Sequence, residues 1–194
     1  MQRAEITGFV LAGGKSSRMG QDKALLEFQG QSLLAHMLKL ITPFCSNTFI
    51  SANNLEYQSF GADLIPDVYQ GKGPISGIFS ALSASCSDWN LIVSVDVPLV
   101  NPELLQYLVD SRNSYDAVVP VHLHGNEPLI ALYHRCVIPA LQEMIEMKDF
   151  KLTNLFPHIN TNYLDCNFLV EKYPQLFLNL NRQEDYRAIQ APDF

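Results

Sequence analysis

Two short stretches hold six of the ten glycines in this chain of 194 residues, and both sit beside groups able to hold an anion. The first runs Leu11-Ala-Gly-Gly-Lys-Ser-Ser-Arg-Met-Gly20 and continues through Gln21, Asp22 and Lys23; the second is Gly71-Lys-Gly-Pro-Ile-Ser-Gly77. Glycine lets a backbone approach a ligand closely and reach positive φ, so that successive N–H groups converge on one anion. In the first stretch, Lys15, Arg18 and Lys23 add cations just past an apolar, strand-like run, where open α/β sheets bind ligands. A solvated basic turn is the plainer reading of the same residues. Two well-known phosphate loops do not fit. The spacing after Gly14 is not GxxxxGK[ST], and Ser76 stands where GxGxxG needs glycine.

A second concentration of chemistry is Asp96, at the end of Leu-Ile-Val-Ser-Val-Asp-Val-Pro98. A carboxylate emerging from a buried strand can hold a hard cation such as Mg²⁺, which prefers oxygen ligands and bridges substrate phosphates. It can also simply cap the next helix, although Asn101 followed by Pro102 suits that cap better. Asp67, just after another short strand, could accept hydrogen bonds from a base or ribose, or cap a turn. The five histidines (His36, His122, His124, His134, His158) are scattered, and no Ser/His/Asp order or HExxH pattern appears.

Positioning these groups requires an α/β domain with a mostly parallel sheet, because short apolar runs alternate with helix-period segments. Strands are predicted at Ile6–Leu11, Thr48–Ser51, Asp63–Ile65, Leu91–Val95, Ala117–Val121, Leu129–Tyr133, Tyr163–Leu164 and Phe177–Leu180. Helices are predicted where Leu33, Leu34, Met37, Leu38 and Ile41 share a face, around Ile75–Leu82 and Glu103–Asp110, through Val137–Ile145, and at Gln183–Gln190. No repeat, linker or low-complexity tract divides the chain, so one domain is expected.

Composition sets outer bounds. Hydrophobic residues make up 47% and charged ones 17%, enough for a core without disulfides or structural metal. The four cysteines are far apart with no CxxC pair, as in a reduced, cytoplasmic protein. No signal-like segment or long apolar run is present, so no membrane association is expected. A net charge of −7 argues against nucleic acid as a partner but not against a nucleotide.

The stretch Leu11–Leu26 closely resembles the LAGGxSxRMGxDKxLL signature of molybdenum cofactor guanylyltransferases. The likeness continues at Ser51–Asn53, Pro66-Asp67, Gly73–Gly77, Asp96–Pro98, Glu127–Tyr133 and Phe177–Asn181, nearly the whole chain. The resemblance implies a single-domain, Rossmann-like nucleotidyltransferase with a mostly parallel central sheet flanked by helices. Its nucleotide part would extend to about residue 100, with the acceptor part beyond. The implied reaction moves GMP from GTP to the terminal phosphate of molybdopterin and releases pyrophosphate, with Mg²⁺ as cofactor. Cofactor-delivery proteins and molybdoenzymes would be its protein partners.

Carried over residue by residue, Leu11, Ala12 and Gly13 would contact GTP through backbone atoms. Gly14, Lys23, Ser51, Asn53, Asp67 and Asp96 would also bind the nucleotide, and Asp96 the metal. Arg18, Lys23 and Asp96 would carry catalysis, while Gly73, Gly77, Asn179 and Asn181 would face the acceptor. Three positions depart from the pattern: Ser51 where some members have asparagine, Glu127 where many have histidine, and Lys148 and Lys151 where arginines are common. A related transferase using CTP or another phosphorylated acceptor, and a noncatalytic GTP-binding module, are the alternatives.

Overall fold

A computed structural model describes residues 5–13 and 22–189. In chain order the elements are β1 (Ile6–Leu11), β2 (Glu27–Phe28), β3 (Gln31–Ser32), α1 (Leu33–Ile41), β4 (Asn47–Ser51), β5 (Asp63–Ile65), α2 (Pro74–Ala84) and β6 (Trp89–Ser94). They continue with α3 (Pro102–Asp110), β7 (Ala117–His122), β8 (Gly125–Asn126), β9 (Ile130–His134), α4 (Ile138–Glu146), β10 (Thr161–Asp165), α5 (Asn167–Lys172) and α6 (Gln183–Ala188). Short 3₁₀ segments, notably Lys23–Leu25 and Leu55–Phe60, join some of them.

The strands form a mixed sheet in the order β10-β7-β9-β6-β1-β4-β5, with β8 on the end of β7. The pairs β6–β1, β1–β4, β4–β5 and β10–β7 are parallel, whereas β9 runs antiparallel to both neighbours. The alternation of side chains across the sheet splits the core in two. Val10, Leu91 and Val93 face α1, α3 and α5 in one layer, while Phe9, Leu11 and Ile92 face α2 and α4 in the other. Covering both faces makes every residue of β1 and β6 buried, which is why both are mostly apolar, with Thr7, Asn90 and Ser94 as buried polar exceptions.

Local chemistry fixes the helix starts. Ser32 caps α1 by accepting the Ala35 N–H at 3.2 Å, and Asn101 caps α3 by accepting that of Leu104 at 3.0 Å. Pro102 follows at the first helical position, as its spacing predicts. Where α1 ends, the chain passes so close to β1 that a Cβ on Gly8 would stand 2.6 Å from Cys45 Sγ.

The structure corrects several expectations. Phe177–Leu180 forms no strand: Leu178 N–H closes a turn on the Gln175 carbonyl, and Leu180 N–H bonds the Asp96 carbonyl at 2.8 Å. That segment crosses the end of β6 instead of extending a sheet edge. β6 stops at Ser94, two residues before Asp96. The turn-rich stretch after β7 contains β8, and α5 is a helix the periodicity did not predict. α6 ends at Ala188, and Gln190 lies outside the described residues.

Candidate active site

The parallel strands bring four residues into one row across the sheet. Ser94 of β6 pairs with Leu11 of β1, Leu11 with Ser51 of β4, and Ser51 with Ile65 of β5. One further layer of backbone bonds continues past that row: Val95 N–H to Leu11 O, Ala12 N–H to Ser51 O and Ala52 N–H to Ile65 O, each 3.1 Å. Beyond these carboxyl ends the sheet opens into a cleft of about 780 Å³. It is the place where open α/β sheets hold ligands.

Nine of the expected site residues line this one cleft: Leu11, Ala12, Gly13, Ser51, Asn53, Asp67, Gly73, Gly77 and Asp96. The roles of the first three divide. The Leu11 carbonyl and the Ala12 N–H are spent on the sheet, so Gly13 carries the first N–H past β1 that no described group accepts. Gly73 (φ 75°) turns the chain into α2, and Pro74 occupies the first helical position. The amino end of α2 therefore faces the cleft and favours negative charge. Gly77 sits in the first turn of α2, where a Cβ would meet Ser51 Oγ at 3.2 Å and Asp67 Oδ1 at 3.6 Å. Its lack of a side chain keeps that wall open.

Asp67 is held from two directions by Asn53. Its N–H donates to Asn53 Oδ1 at 3.0 Å, and Asn53 Nδ2 donates to its carboxylate at 3.4 Å. Burial pushes the Asp67 carboxyl above the usual carboxylate range, and the Asn53 amide offsets part of that rise. Asp96 receives the Ser94 hydroxyl on Oδ1 at 2.5 Å, and no described group takes Oδ2. Its backbone carbonyl accepts the Leu180 N–H, so the strand-end carboxylate is tied to the chain's last third.

Other expected residues fall elsewhere. Lys23 starts the 3₁₀ turn behind Asp22 and is not on the cleft wall. Asn179 and Asn181 also lie off that wall, but they flank Leu180 and so bracket its bond to Asp96. Gly14 and Arg18, with Lys15, lie outside the described residues. Glu127 accepts from His122 Nε2 at 3.0 Å, and the His122 ring stacks on Phe177 at 4.8 Å. That pair braces the turn leading to Asn179.

Sequence reasoning missed Asp22, Asn54, Tyr57 and Ser94, all of which line the cleft. Ser94 had a signal, since residues two apart at a strand's end point the same way. Asn54 also had one, as a short polar residue capping the turn after it through Glu56 N–H at 3.1 Å. Tyr57 had none, because its partner Asp22 is 35 residues away.

The charge of the wall is uneven. Its described residues include three carboxylates, Asp22, Asp67 and Asp96, and no lysine or arginine. Among the described residues no three His, Cys, Asp or Glu side chains gather as a metal cage. The donor set thus suits a cation held by one carboxylate with ligand oxygens and water, which is the habit of Mg²⁺. No described helix is long and apolar enough to cross a membrane.

Residues 8–158 match the MobA-like NTP transferase domain. A protein of Carboxydothermus hydrogenoformans named "probable molybdenum cofactor guanylyltransferase" is 30% identical over 186 residues, 95% of this chain and 94% of its own. One of the same name from Flavobacterium johnsoniae is 33% identical over 183 residues, 93% of this chain and 88% of its own. Among solved structures, molybdopterin-guanine dinucleotide biosynthesis protein A from Archaeoglobus fulgidus superposes with a TM-score of 0.81 at 26% identity, covering 94% of this chain and 96% of that one. With the cleft at the ends of β1, β4 and β6, these matches make the chain a nucleotidyltransferase that belongs to the MobA-like NTP transferase family.

Proposed function

We propose that the protein transfers GMP from GTP to the terminal phosphate of molybdopterin, forming a guanine dinucleotide and releasing pyrophosphate. The observation that carries this reading is Asp96, which lines one cleft with Gly13 and the amino end of α2 and keeps a carboxylate oxygen that no described group takes. The names of the relatives supply the nucleotide and the acceptor.

The chemistry follows from charge. The acceptor's terminal phosphate is anionic at neutral pH (about −1.5 to −2), so its oxygen is already a nucleophile and no general base is required. It attacks the α-phosphorus of GTP, the bond from that phosphorus to the β-phosphate bridging oxygen breaks, and pyrophosphate leaves with the electron pair. Bound Mg²⁺ would neutralise charge on the reacting phosphates, and Asp96 is the residue that would hold it. Lys23 and Arg18 would add positive charge, and Gly13 N–H and the amino end of α2 would orient the phosphates. Asp67 and Asn53 would hold the nucleoside, with residues up to about 100 serving the nucleotide and later ones the acceptor.

Pyrophosphate release measured with each of four nucleoside triphosphates, with and without molybdopterin, tests the proposal. Release only with GTP and molybdopterin together is expected. Preference for CTP or for another phosphorylated acceptor would reassign the substrates. GTP binding with no pyrophosphate under any condition would make the protein a nucleotide-binding module.

A further inference from the structure

One carboxylate on the cleft wall is committed to the protein before any ligand arrives. Asp22 Oδ1 accepts the Ala24 N–H at 3.0 Å and so caps the 3₁₀ turn Lys23–Leu25. Its other oxygen accepts the Tyr57 hydroxyl at 2.6 Å and Asn54 Nδ2 at 3.3 Å. The two donors come from the turn Leu55–Phe60 and its cap, on the far side of β4 in the chain. Tyr57 is only 2% exposed, yet it lines the cleft together with Asp22.

This arrangement is more than a generic anchor for two reasons. The residue immediately after Asp22 is Lys23, the described cation expected to meet the nucleotide phosphates. Fixing the Asp22 side chain from three directions fixes the backbone from which the Lys23 side chain departs. Asp22 is also negative in a cleft proposed for a triphosphate, so its direction decides whether it opposes the ligand or stays turned into its donors. Burial, reinforced by the contact with Asp22, pushes the Tyr57 phenol upward, so the hydroxyl remains a donor throughout any workable assay range.

We propose that Tyr57, with Asn54, is a positioning residue that acts through Asp22 to set the Lys23 ammonium against the nucleotide phosphates. The inference rests on the GTP-binding reading above. Hydrogen bonds to charged groups are among the stronger ones in proteins, so losing the Tyr57 hydroxyl should be felt at the ligand even though the phenyl ring stays packed.

A double-mutant cycle on GTP affinity, read by titration calorimetry with Mg²⁺ and without acceptor, tests this. Tyr57→Phe should weaken GTP about tenfold, within the range for a charge-assisted bond. Lys23→Ala should weaken it at least as much, and adding Tyr57→Phe to Lys23→Ala should then cost less than about twofold. Melting temperatures recorded on the same four proteins should show simple additivity, since the packing contribution of Tyr57 does not pass through Lys23. Additive losses in GTP affinity would overturn the proposal and leave Tyr57 structural. An unchanged affinity in Lys23→Ala alone would overturn both the proposal and the phosphate role of Lys23. Should Tyr57→Phe fold poorly, Asn54→Ala, which removes another donor to Asp22 without changing the charge of the cleft, replaces it in the cycle, with coupling of the same sign expected.

Discussion

Asp96 owes its position to two neighbours rather than to the strand itself. β6 ends at Ser94, whose hydroxyl bonds Asp96 Oδ1, while Leu180 N–H fixes the Asp96 backbone. Asp96→Ala loses the Ser94 bond but keeps the Leu180 N–H on its backbone carbonyl, so the protein should fold and lose transfer activity by about 10²–10³ or more in kcat. Turnover within a few-fold of the parent at saturating Mg²⁺ would remove Asp96 from the mechanism. Asp67 offers a separate test of how the base is read. Guanine presents adjacent donors at N1 and the exocyclic amine, which one carboxylate can accept together. That role needs the ionised form, and burial makes ionisation harder for Asp67 than for an ordinary aspartate. The sign follows: a raised pKa means Asp67 takes up its proton at higher pH, so guanine preference should fade on acidification before ordinary carboxylates titrate. The GTP/ATP ratio of kcat/KM cancels the titration of the triphosphates themselves. The ratio should fall as pH drops through the Asp67 range, and Asp67→Asn should be low and flat at every pH. A flat ratio in the parent would assign Asp67 to the ribose, where both nucleotides gain alike.

At the scale of elements, the glycines explain why helix and sheet can meet at the cleft at all. A Cβ on Gly77, in the first turn of α2, would stand 3.2 Å from Ser51 Oγ and 3.6 Å from Asp67 Oδ1. An alanine there should strengthen the helix by up to about 1 kcal/mol, offset by crowding that Ser51 relieves with a shift of a few tenths of an ångström. Stability should therefore change little, while the added methyl narrows the cleft beside Ser51 and Asp67. Gly77→Ala is expected to keep its melting temperature within about 3 °C and to raise the GTP dissociation constant at least tenfold. Unaltered affinity would show that the ligand stays clear of α2. Much of this was legible in the sequence: the strand at Ile6–Leu11, the Asn101-Pro102 cap and the glycine spacing all depend on neighbours in the chain. Phe177–Leu180 misled because a largely apolar run has no way to announce that its last amide will bond Asp96 instead of a strand. The Asp22–Tyr57 bond escaped for the same reason, since nothing local in either residue points to a partner 35 positions away.

The whole molecule carries net charge −7, and the described wall of its cleft concentrates rather than relieves that charge. Asp22, Asp67 and Asp96 line it, and among the described lining residues no cation answers them. A triphosphate entering such a wall meets like charge in a partly desolvated space, where Coulomb terms outweigh their value in water. Binding should therefore depend on divalent metal for affinity as well as for chemistry. Ligand binding to the native state raises the melting temperature, and GTP at a hundred times its dissociation constant contributes about 2.7 kcal/mol, or roughly 5–10 °C for a chain of this size. That shift should appear with Mg²⁺ and shrink to a small fraction when EDTA replaces it. Asp96→Ala should invert the pattern. With Mg²⁺ it binds GTP more weakly than the parent, because the metal has lost its protein ligand. In EDTA it should bind GTP at least as well as the parent, because one repelling carboxylate is gone. This crossing separates a metal-holding aspartate from one that merely shapes the cleft, whose loss would weaken GTP equally in both buffers. A shift of full size in EDTA for the parent protein would show that Lys23 and the glycine-rich stretch neutralise the phosphates unaided, and would take the metal out of binding.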